Sequence, residues 1–215
     1  MHTLYCLSGL GADERIFNAF KIDSCRIEYI PWIIPHNKES IVDYAQRLAA
    51  SVEWTAPFSL LGVSFGGVVA IELAQIVDPV NTIIISSYKT KHEFPWYFRL
   101  LGKTHLHRIV PEWMMRSSSL VNWFFNNANT VEERRLLDDM LASADLTLTR
   151  WSIDRLLDWP GLPMSLPNLI HIHGTADRLL PYRYIKSDFA IEGGSHLMIY
   201  SRADEIARIV KRVII

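Results

Sequence analysis

A serine between glycines is the first candidate for chemistry in this sequence. Residues 60–67 read Leu-Leu-Gly-Val-Ser-Phe-Gly-Gly, which is a G-x-S-x-G pattern around Ser64. An apolar run precedes the pattern and an apolar helical pattern follows it, so the segment predicts a strand that turns sharply into a helix. The glycines let the strand and the helix pass closely, and the turn pushes the serine side chain out of the sheet. A serine in that position can attack a carbonyl carbon and form an acyl-serine intermediate.

Two later segments each end a short apolar run with a residue that a serine nucleophile needs. Residues 170–177 deliver Asp177 from a glycine-containing turn, and residues 189–196 deliver His196 after two glycines. In this interpretation His196 is the general base for Ser64, and Asp177 orients the imidazole and stabilises its charged form. An Asp in a turn also serves Asx-turn structure, and a single His is often an ordinary polar residue. Each segment alone therefore leaves both interpretations open.

The first strand-like run opens into a glycine-rich turn. Residues 4–13 read Leu-Tyr-Cys-Leu-Ser-Gly-Leu-Gly-Ala-Asp. Such a turn can point a backbone N–H group at the negative charge that develops on a carbonyl oxygen. The N–H groups of Leu10 and of Phe65, the residue after Ser64, are therefore predicted to form an oxyanion hole. An ordinary strand-to-helix turn has the same composition, so this interpretation depends on the other three segments.

With these segments in place, the chain resembles the α/β-hydrolase superfamily over nearly its whole length, and residues 89–160 are the least similar part. The resemblance is specific in four stretches, Ser8–Gly11, Gly62–Gly67, His173–Asp177 and Gly193–His196. The order Ser, Asp, His along the chain is the order of that superfamily, whereas chymotrypsin-like folds place the His first. The family's oxyanion loop often begins with His-Gly; here Ser8 stands in place of that His and leaves the backbone donor intact.

Apolar strand-like runs alternate with helical patterns along the chain. This alternation predicts an α/β fold, with a mostly parallel six-stranded sheet flanked by helices and the site at the carboxyl ends of the strands. Compared with the usual eight-stranded sheet of the family, the first two strands are missing. The predicted strands are Leu4–Leu7, Arg26–Ile30, Phe58–Val63, Thr82–Ser86, Leu169–His173 and Asp188–Ile191. The predicted core helices are 12–20, 41–52, Gly66–Val77 and a last helix capped by Ser201-x-x-Asp204.

Residues 89–160 interrupt this alternation and predict a helical lid insertion, so that 1–88 and 161–215 form the α/β-hydrolase core of a single domain. The predicted lid helices run roughly over 95–102, 111–126, 130–143 and 148–157. Most of the many aromatic residues in the insertion are expected to pack it onto the core, and a minority to line an apolar acyl pocket. Methionines, which more often fill core gaps, are further candidates for that lining: Met114, Met115 and Met164.

Composition narrows the function classes. The 215 residues carry a net charge of −1 and a hydrophobic content of 49%, which suits one domain and argues against general binding to nucleic acid or anionic membrane. Cys6 and Cys25 are too few for a disulfide framework or a metal site. His171 and His173 share a strand face, but no third ligand is evident, so neither a metal nor an organic cofactor is expected. No secretion signal and no membrane-spanning apolar stretch is evident, and the expected location is therefore cytoplasmic.

The predicted activity is hydrolysis of a small-molecule acyl substrate, a small-to-medium apolar carboxylic ester or thioester, through an acyl-serine. Relatives with the same fold and triad also serve C–C bond hydrolysis, lyase chemistry and cofactor-free peroxidation, and a hydrolase-like binding protein with little turnover is a further interpretation.

Residues 89–116 hold six Lys or Arg against two acidic residues. This excess either forms a solvated face or attracts an anionic acyl carrier such as coenzyme A or acyl carrier protein. Asp145 and Asp154 are rival acids to Asp177, although neither follows a strand.

Overall fold

A six-stranded sheet runs through the molecule. The computed structural model describes residues 1–104, 120–162 and 166–214. The strands are β1 (His2–Leu7), β2 (Cys25–Tyr29), β3 (Phe58–Val63), β4 (Thr82–Ile85), β5 (Leu169–Gly174) and β6 (Phe189–Ile191). They lie in the order β2-β1-β3-β4-β5-β6, and every neighbouring pair is parallel. The predicted α/β class with a six-stranded parallel sheet is confirmed.

Helices cover both faces of this sheet. They are α1 (Ile41–Ala50), α2 (Phe65–Val77), α3 (Trp96–Thr104), α4 (Leu120–Asn126), α5 (Val131–Ser143), α6 (Leu146–Asp158), α7 (Met198–Ser201) and α8 (Ala203–Ile214). One face packs against α1, α2 and α6, through side chains such as Tyr44, Val68 and Trp151. The other packs against α7 and α8, through Met198 and Ile206. Because both faces are covered, every residue of β3 and β4 is buried, and most of these residues are apolar.

Two predicted helix boundaries are wrong, each for a local reason. The helix predicted over 12–20 is a single 3₁₀ turn, Glu14–Phe17, whose amino end is capped by the Asp13 carboxylate. Ser201 does not cap the last helix, because it is the final residue of the short helix α7. The last helix begins two positions later, at Ala203.

Between β4 and β5, the described residues form four helices joined by turns and loops. Helices α3, α5 and α6 correspond to those predicted over 95–102, 130–143 and 148–157, and the one predicted over 111–126 is described from residue 120. Thr90 and Gly161 form an antiparallel bridge that joins the two ends of this insertion. The division into core and lid stays a prediction, and Met114, Met115 and Met164 lie outside the described residues. Within the described ranges, no helix is both long and apolar enough to cross a membrane.

Candidate functional site

The site is built around the turn that joins β3 to α2. Ser64 occupies this turn with φ 54° and ψ −117°, and such a left-handed φ costs a non-glycine residue conformational energy. The Ser64 N–H donates to the carbonyl of Ile85 at 2.9 Å. Its own carbonyl accepts from the Ser87 hydroxyl at 2.7 Å. These bonds hold Ser64 at the carboxyl end of β3.

Both glycines of the G-x-S-x-G pattern stand where backbones pass too closely for a side chain. A Cβ on Gly62 would lie 2.2 Å from the carbonyl oxygen of Gly66. A Cβ on Gly66 would lie 2.2 Å from the carbonyl oxygen of Ser8, in the loop after β1. The first contact lets α2 start directly behind its strand, and the second brings the β1 loop against the serine turn. The pattern therefore reflects backbone packing around Ser64.

Ser64, His196 and Asp177 form one hydrogen-bonded chain, although they are far apart in sequence. His196 Nε2 lies 3.1 Å from Ser64 Oγ, and His196 Nδ1 lies 2.8 Å from Asp177 Oδ2. Because a carboxylate only accepts hydrogen bonds, Nδ1 carries the proton and Nε2 is left to accept the one on Ser64 Oγ. A hydroxyl with an imidazole acceptor can lose its proton as it attacks, which is the chemistry of a serine nucleophile.

Two backbone N–H groups hold the Asp177 carboxylate in place. Its Oδ1 accepts from the N–H of Leu179 at 2.9 Å and from the N–H of Leu180 at 2.9 Å. Oδ2 is thereby left to face His196. The Asp177 side chain is 0% exposed, so these donors replace the water that a carboxylate would otherwise bind.

The rival acids considered from the sequence lie elsewhere. Asp145 caps α6, where its Oδ1 accepts from the N–H of Leu148 at 2.8 Å. Asp154 lies within the same helix. Asp177 instead comes from the turn directly after β5, at the edge of the sheet where Ser64 also lies.

The loops that carry Asp177 and His196 brace each other. The N–H of Ala176 donates to the carbonyl of Gly194 at 3.0 Å. A Cβ on Gly174 would lie 2.2 Å from that same carbonyl oxygen. Because the two loops touch through their backbones, the acid and the imidazole have a fixed relative position.

The two backbone groups predicted to form an oxyanion hole lie beside Ser64. Phe65 is the first residue of α2. Gly9, the neighbour of Leu10, is so close that a Cβ on it would lie 3.4 Å from Ser64 Cβ. Among the described residues, no hydrogen bond from the N–H of Leu10 or Phe65 is found. Neither N–H group is therefore engaged by another described residue, and the oxyanion hole that they would form stays a prediction.

The Ser8 side chain braces the loop that carries Leu10. Its Oγ donates to the carbonyl of Ala12 at 2.8 Å and accepts from Trp32 Nε1 at 2.9 Å. The Trp32 ring also packs on Phe65, with the ring centroids 5.6 Å apart. Sequence reasoning missed Trp32, because it lies in the loop after β2 and belongs to no periodic pattern.

An apolar cavity of about 180 Å³ opens at Ser64. The insertion contributes most of its described walls, including Phe94, Phe98, Leu101, Ile153 and Leu156. Within the described ranges, no charged side chain lines it. The hydroxyl of Tyr88, which also lines it, donates to the carbonyl of Leu156 at 2.7 Å. The cavity can therefore hold an apolar group beside the serine hydroxyl.

The described aromatic residues of the insertion fall into three groups: some line the cavity, some are buried in the core and some are exposed. Phe94 and Phe98 line the cavity. Trp151 and Trp159 are buried in the core cluster under α2. Trp96 is 57% exposed on α3.

Two buried histidines lie behind Asp177. His173 Nε2 lies 2.8 Å from the carbonyl of Leu180 and 3.4 Å from Asp177 Oδ2. Burial lowers the pKa of both His171 and His173 from the ordinary value of histidine. In the part of the chain that the structure describes, no group of three or more His, Cys, Asp or Glu is arranged to hold a metal ion.

Comparison with known families adds to this geometry. A family model described as the alpha/beta hydrolase family matches residues 5–209. The chain belongs to the alpha/beta hydrolase family. The resemblance stated from the sequence is thus confirmed. Among curated proteins, no sequence matches the chain.

Solved structures share this fold at low sequence identity. A hydrolase from Oleispira antarctica has a TM-score of 0.75 at 11% identity, with 99% of this chain and 90% of that chain covered. A thermophilic esterase from Thermogutta terrifontis has a TM-score of 0.66 at 18% identity, covering 99% and 89%. A type II thioesterase from the yersiniabactin NRPS/PKS biosynthetic pathway has a TM-score of 0.65 at 17% identity, covering 98% and 92%. At such identities the likeness establishes the fold alone.

Proposed function

We propose that this protein is a serine hydrolase that cleaves a small-to-medium apolar carboxylic ester or thioester through an acyl-serine intermediate. The observation that carries the proposal is the hydrogen-bonded chain of Ser64, His196 and Asp177 at an apolar cavity. Membership of the alpha/beta hydrolase family supports it. Each of the three side chains has one role, and none of the steps needs a metal or an organic cofactor.

The first half of the reaction forms the acyl-serine. Ser64 Oγ attacks the carbonyl carbon of the substrate while His196 Nε2 takes the hydroxyl proton. Asp177 holds the imidazole with its proton on Nδ1 and stabilises the positive charge that the ring gains. The carbonyl oxygen becomes an oxyanion next to the N–H groups of Leu10 and Phe65, and one such donor contributes about 3 kcal/mol in a comparable serine hydrolase. When the tetrahedral intermediate collapses, His196 gives its proton to the departing alcohol or thiol.

The second half releases the acid. A water molecule enters in place of the alcohol or thiol. The water oxygen attacks the acyl carbon while His196 takes a proton from the water. The second tetrahedral intermediate uses the same two N–H donors. Its collapse returns the proton from His196 to Ser64 Oγ and frees the carboxylic acid. Ser64 and His196 thus return to their starting protonation states.

The cavity favours a short apolar acyl group. Pockets for drug-sized ligands measure about 300–1,000 Å³, whereas this cavity is about 180 Å³. Walls of Phe94, Phe98 and Leu101 offer no partner for a charged or strongly polar acyl chain. We therefore expect acyl chains of a few carbons to be cleaved faster than long ones.

Hydrolysis of p-nitrophenyl esters from acetate to octanoate tests the proposal. Wild type is compared with Ser64→Ala, and both are treated with a serine-directed fluorophosphonate. Turnover and labelling in wild type, both lost in Ser64→Ala, are the expected result. Labelling without ester turnover would favour the C–C bond hydrolase or lyase alternative. Binding of the p-nitrophenyl esters with neither labelling nor turnover would favour the binding-protein alternative.

More specifically, we propose that the substrate is a thioester of an anionic acyl carrier. Three cations support it: Lys91, Arg99 and Lys103 line one groove together with the exposed ring of Trp96. Asp158 also lines this groove. Residues of helix α3 line both the groove and the acyl cavity, with Arg99 and Lys103 in the groove and Phe98 in the cavity. A carrier bound in the groove would therefore lie near the cavity. Arg108 and Arg116, which add to the predicted excess, lie outside the described residues.

Rates on matched substrates separate carrier binding from acyl binding. The same acyl group is presented as a coenzyme A thioester and as a p-nitrophenyl ester to wild type, Arg99→Ala and Lys103→Ala. We expect the neutralised variants and added salt to raise KM for the thioester only, because phosphate charges attract the cations. Lys211→Ala, on the exposed side of α8, serves as a charge-matched control. Equal KM values in all variants would contradict the carrier proposal and leave the ester hydrolase standing.

A further inference from the structure

The proposed mechanism leaves two fully buried histidines on β5 without a role. His171 and His173 are both 0% exposed. A buried polar ring costs free energy unless it is hydrogen-bonded. The contacts of these rings form a line that ends at the Asp177 carboxylate.

His173 contacts both ends of the turn that holds the acid. Its Nε2 lies 2.8 Å from the carbonyl of Leu180 and 3.4 Å from Asp177 Oδ2. Both oxygens only accept, so Nε2 carries the proton and donates it to the Leu180 carbonyl, while Asp177 Oδ2 is a close electrostatic neighbour of the same N–H group. Leu180 in turn donates its N–H to Asp177 Oδ1 at 2.9 Å. One imidazole thereby fixes the turn and one oxygen of the carboxylate.

His171 contacts the second nitrogen of the His173 ring. His171 Nε2 lies 3.3 Å from His173 Nδ1. A neutral His173 with its proton on Nε2 can only accept at Nδ1, so His171 donates from Nε2. His171 Nδ1 is then a bare acceptor, and it has no hydrogen-bond partner among the described atoms. The line of contacts therefore assigns the same tautomer to both rings.

Burial keeps both rings neutral. Burial lowers the pKa of His171 well below its ordinary value, and the neighbouring His173 acts in the same direction. Burial also lowers the pKa of His173, against the opposing effect of the Asp177 carboxylate. The further groups that face these rings are His196, Lys89, Glu93 and the carbonyls of Ser87 and Lys186. His173 is thus a neutral ring whose N–H lies beside the acid, rather than a cation that competes with His196 for it.

We propose that His173 is a positioning residue for Asp177. Its Nε2–H donates to the carbonyl of Leu180, the residue whose own N–H binds Oδ1, and the positive end of the same Nε2–H lies beside Oδ2. These two contacts together keep Oδ2 directed at His196. The Tyr182 ring stacks on His173 with centroids 6.3 Å apart and covers the imidazole. The inference rests on the proposed serine-hydrolase function and deepens it, since His173 acts on the reaction through Asp177 alone.

Three substitutions separate the Nε2 donor from the packing of the ring. His173→Leu removes the donor and keeps an apolar side chain in the buried site. His173→Gln can place an amide N–H where Nε2 was, whereas His173→Asn can place one only near Nδ1. With p-nitrophenyl butyrate, we expect kcat to fall about tenfold in the Leu and Asn variants, the scale of one buried hydrogen bond. We expect Gln to restore most of it, and KM to stay unchanged because His173 does not line the described cavity.

The pH profile is a readout that a packing defect would not move. Without the His173 donor, the carboxylate holds the proton on the His196 imidazole more tightly. The acidic limb of kcat/KM against pH should therefore shift to higher pH in His173→Leu and not in His173→Gln. A uniform loss at every pH, with Gln as poor as Leu, would overturn the positioning role.

A double-substitution cycle shows whether the effect passes through Asp177. The rate at which the fluorophosphonate labels Ser64 is followed over hours in four proteins: wild type, His173→Leu, Asp177→Asn and the double variant. We expect His173→Leu to slow labelling about tenfold in the otherwise wild-type protein and to cause no further loss in Asp177→Asn, since the carboxylate that His173 positions is absent there. Equal losses in both backgrounds would show a role independent of Asp177.

Failure of this inference is distinguishable from failure of the proposed function. Wild type that neither cleaves esters nor reacts with the phosphonate would remove the function, and the inference with it. An active wild type with an equally active His173→Leu would remove the inference alone. If His173→Leu does not fold, ¹⁵N NMR of the wild-type imidazoles gives the answer. We expect His173 to be neutral and protonated on Nε2 at neutral pH, and protonation on Nδ1 would overturn the assignment.

Discussion

Replacing Asp177 with Asn is expected to preserve the fold of the site and remove most of its reactivity. The N–H groups of Leu179 and Leu180 both need an acceptor, and both bond Oδ1 at 2.9 Å. The amide oxygen of the new side chain therefore takes the Oδ1 position. Its NH₂ group then occupies the Oδ2 position, 2.8 Å from His196 Nδ1. Two donors cannot face each other there, so the imidazole must move its proton to Nε2.

The changed tautomer determines the size of the effect. Nε2 then presents an N–H to Ser64 Oγ, and the general base is absent although every atom is near its original place. The same change in a serine protease triad lowers kcat about 10⁴-fold. That factor corresponds to about 5 kcal/mol of transition-state stabilisation, at about 1.36 kcal/mol per factor of ten. We expect a loss of this order here.

Turnover of p-nitrophenyl butyrate and the rate of phosphonate labelling measure this loss. Asp145→Asn is the matched control, because it removes the same charge from an exposed helix cap where Asn is an equally good residue. We expect Asp145→Asn to match wild type. Circular dichroism and the urea midpoint check that both variants are folded. Activity of Asp177→Asn within tenfold of wild type would refute the assigned role of the acid.

Further predictions follow from the cavity, the core and the buried histidines. Phe98→Trp should fill the cavity and shift the preferred ester to a shorter chain, whereas Phe124→Trp, on a 55% exposed residue, should not; an unchanged chain-length profile would contradict the cavity as the acyl site. Trp159→Phe removes the Nε1 donor that lies 2.6 Å from the buried Glu72 Oε1, and should lower the free energy of unfolding by about 2 kcal/mol; an unchanged urea midpoint would contradict this. Burial lowers the pKa of His171 below 6.5, so the unfolded chain binds a proton that the folded chain excludes. Stability should therefore be greatest above about pH 6.5 and fall below it, with a shallower fall in His171→Leu; equal slopes for the two proteins would argue against it.

The fold class was predictable because its signals are local and periodic. Apolar runs that end in glycine turns show where parallel strands stop, and helical spacing shows which face of α8 is buried. The order of Ser64, Asp177 and His196 could be read along the chain because each residue follows its own strand. The 12–20 helix was misjudged, since the Asp13 cap and a single 3₁₀ turn leave the same apolar spacing as a longer helix.

The geometry of the site could not be read in that way. Ser64 and His196 are separated by 132 positions, and no local pattern shows that their side chains lie within hydrogen-bond distance. The contact of Trp32 with Ser8 is likewise invisible in sequence, because each residue lies in an irregular loop. In the sequence, His173 appears as half of a metal pair and as the start of the His173–Asp177 stretch, and neither pattern shows that its ring contacts the acid.

The sequence by itself determined which residues could react and in which order they occur, because residue type and strand-ending position are local properties. Only the tertiary structure decided which carboxylate oxygen faces His196, which ring stands behind Asp177 and which side chains enclose the cavity at Ser64. Those outcomes depend on how separate strands and loops pack at one edge of the sheet. Packing at that edge is set by the whole chain, through backbone contacts such as Gly66 on Ser8 and Gly174 on Gly194.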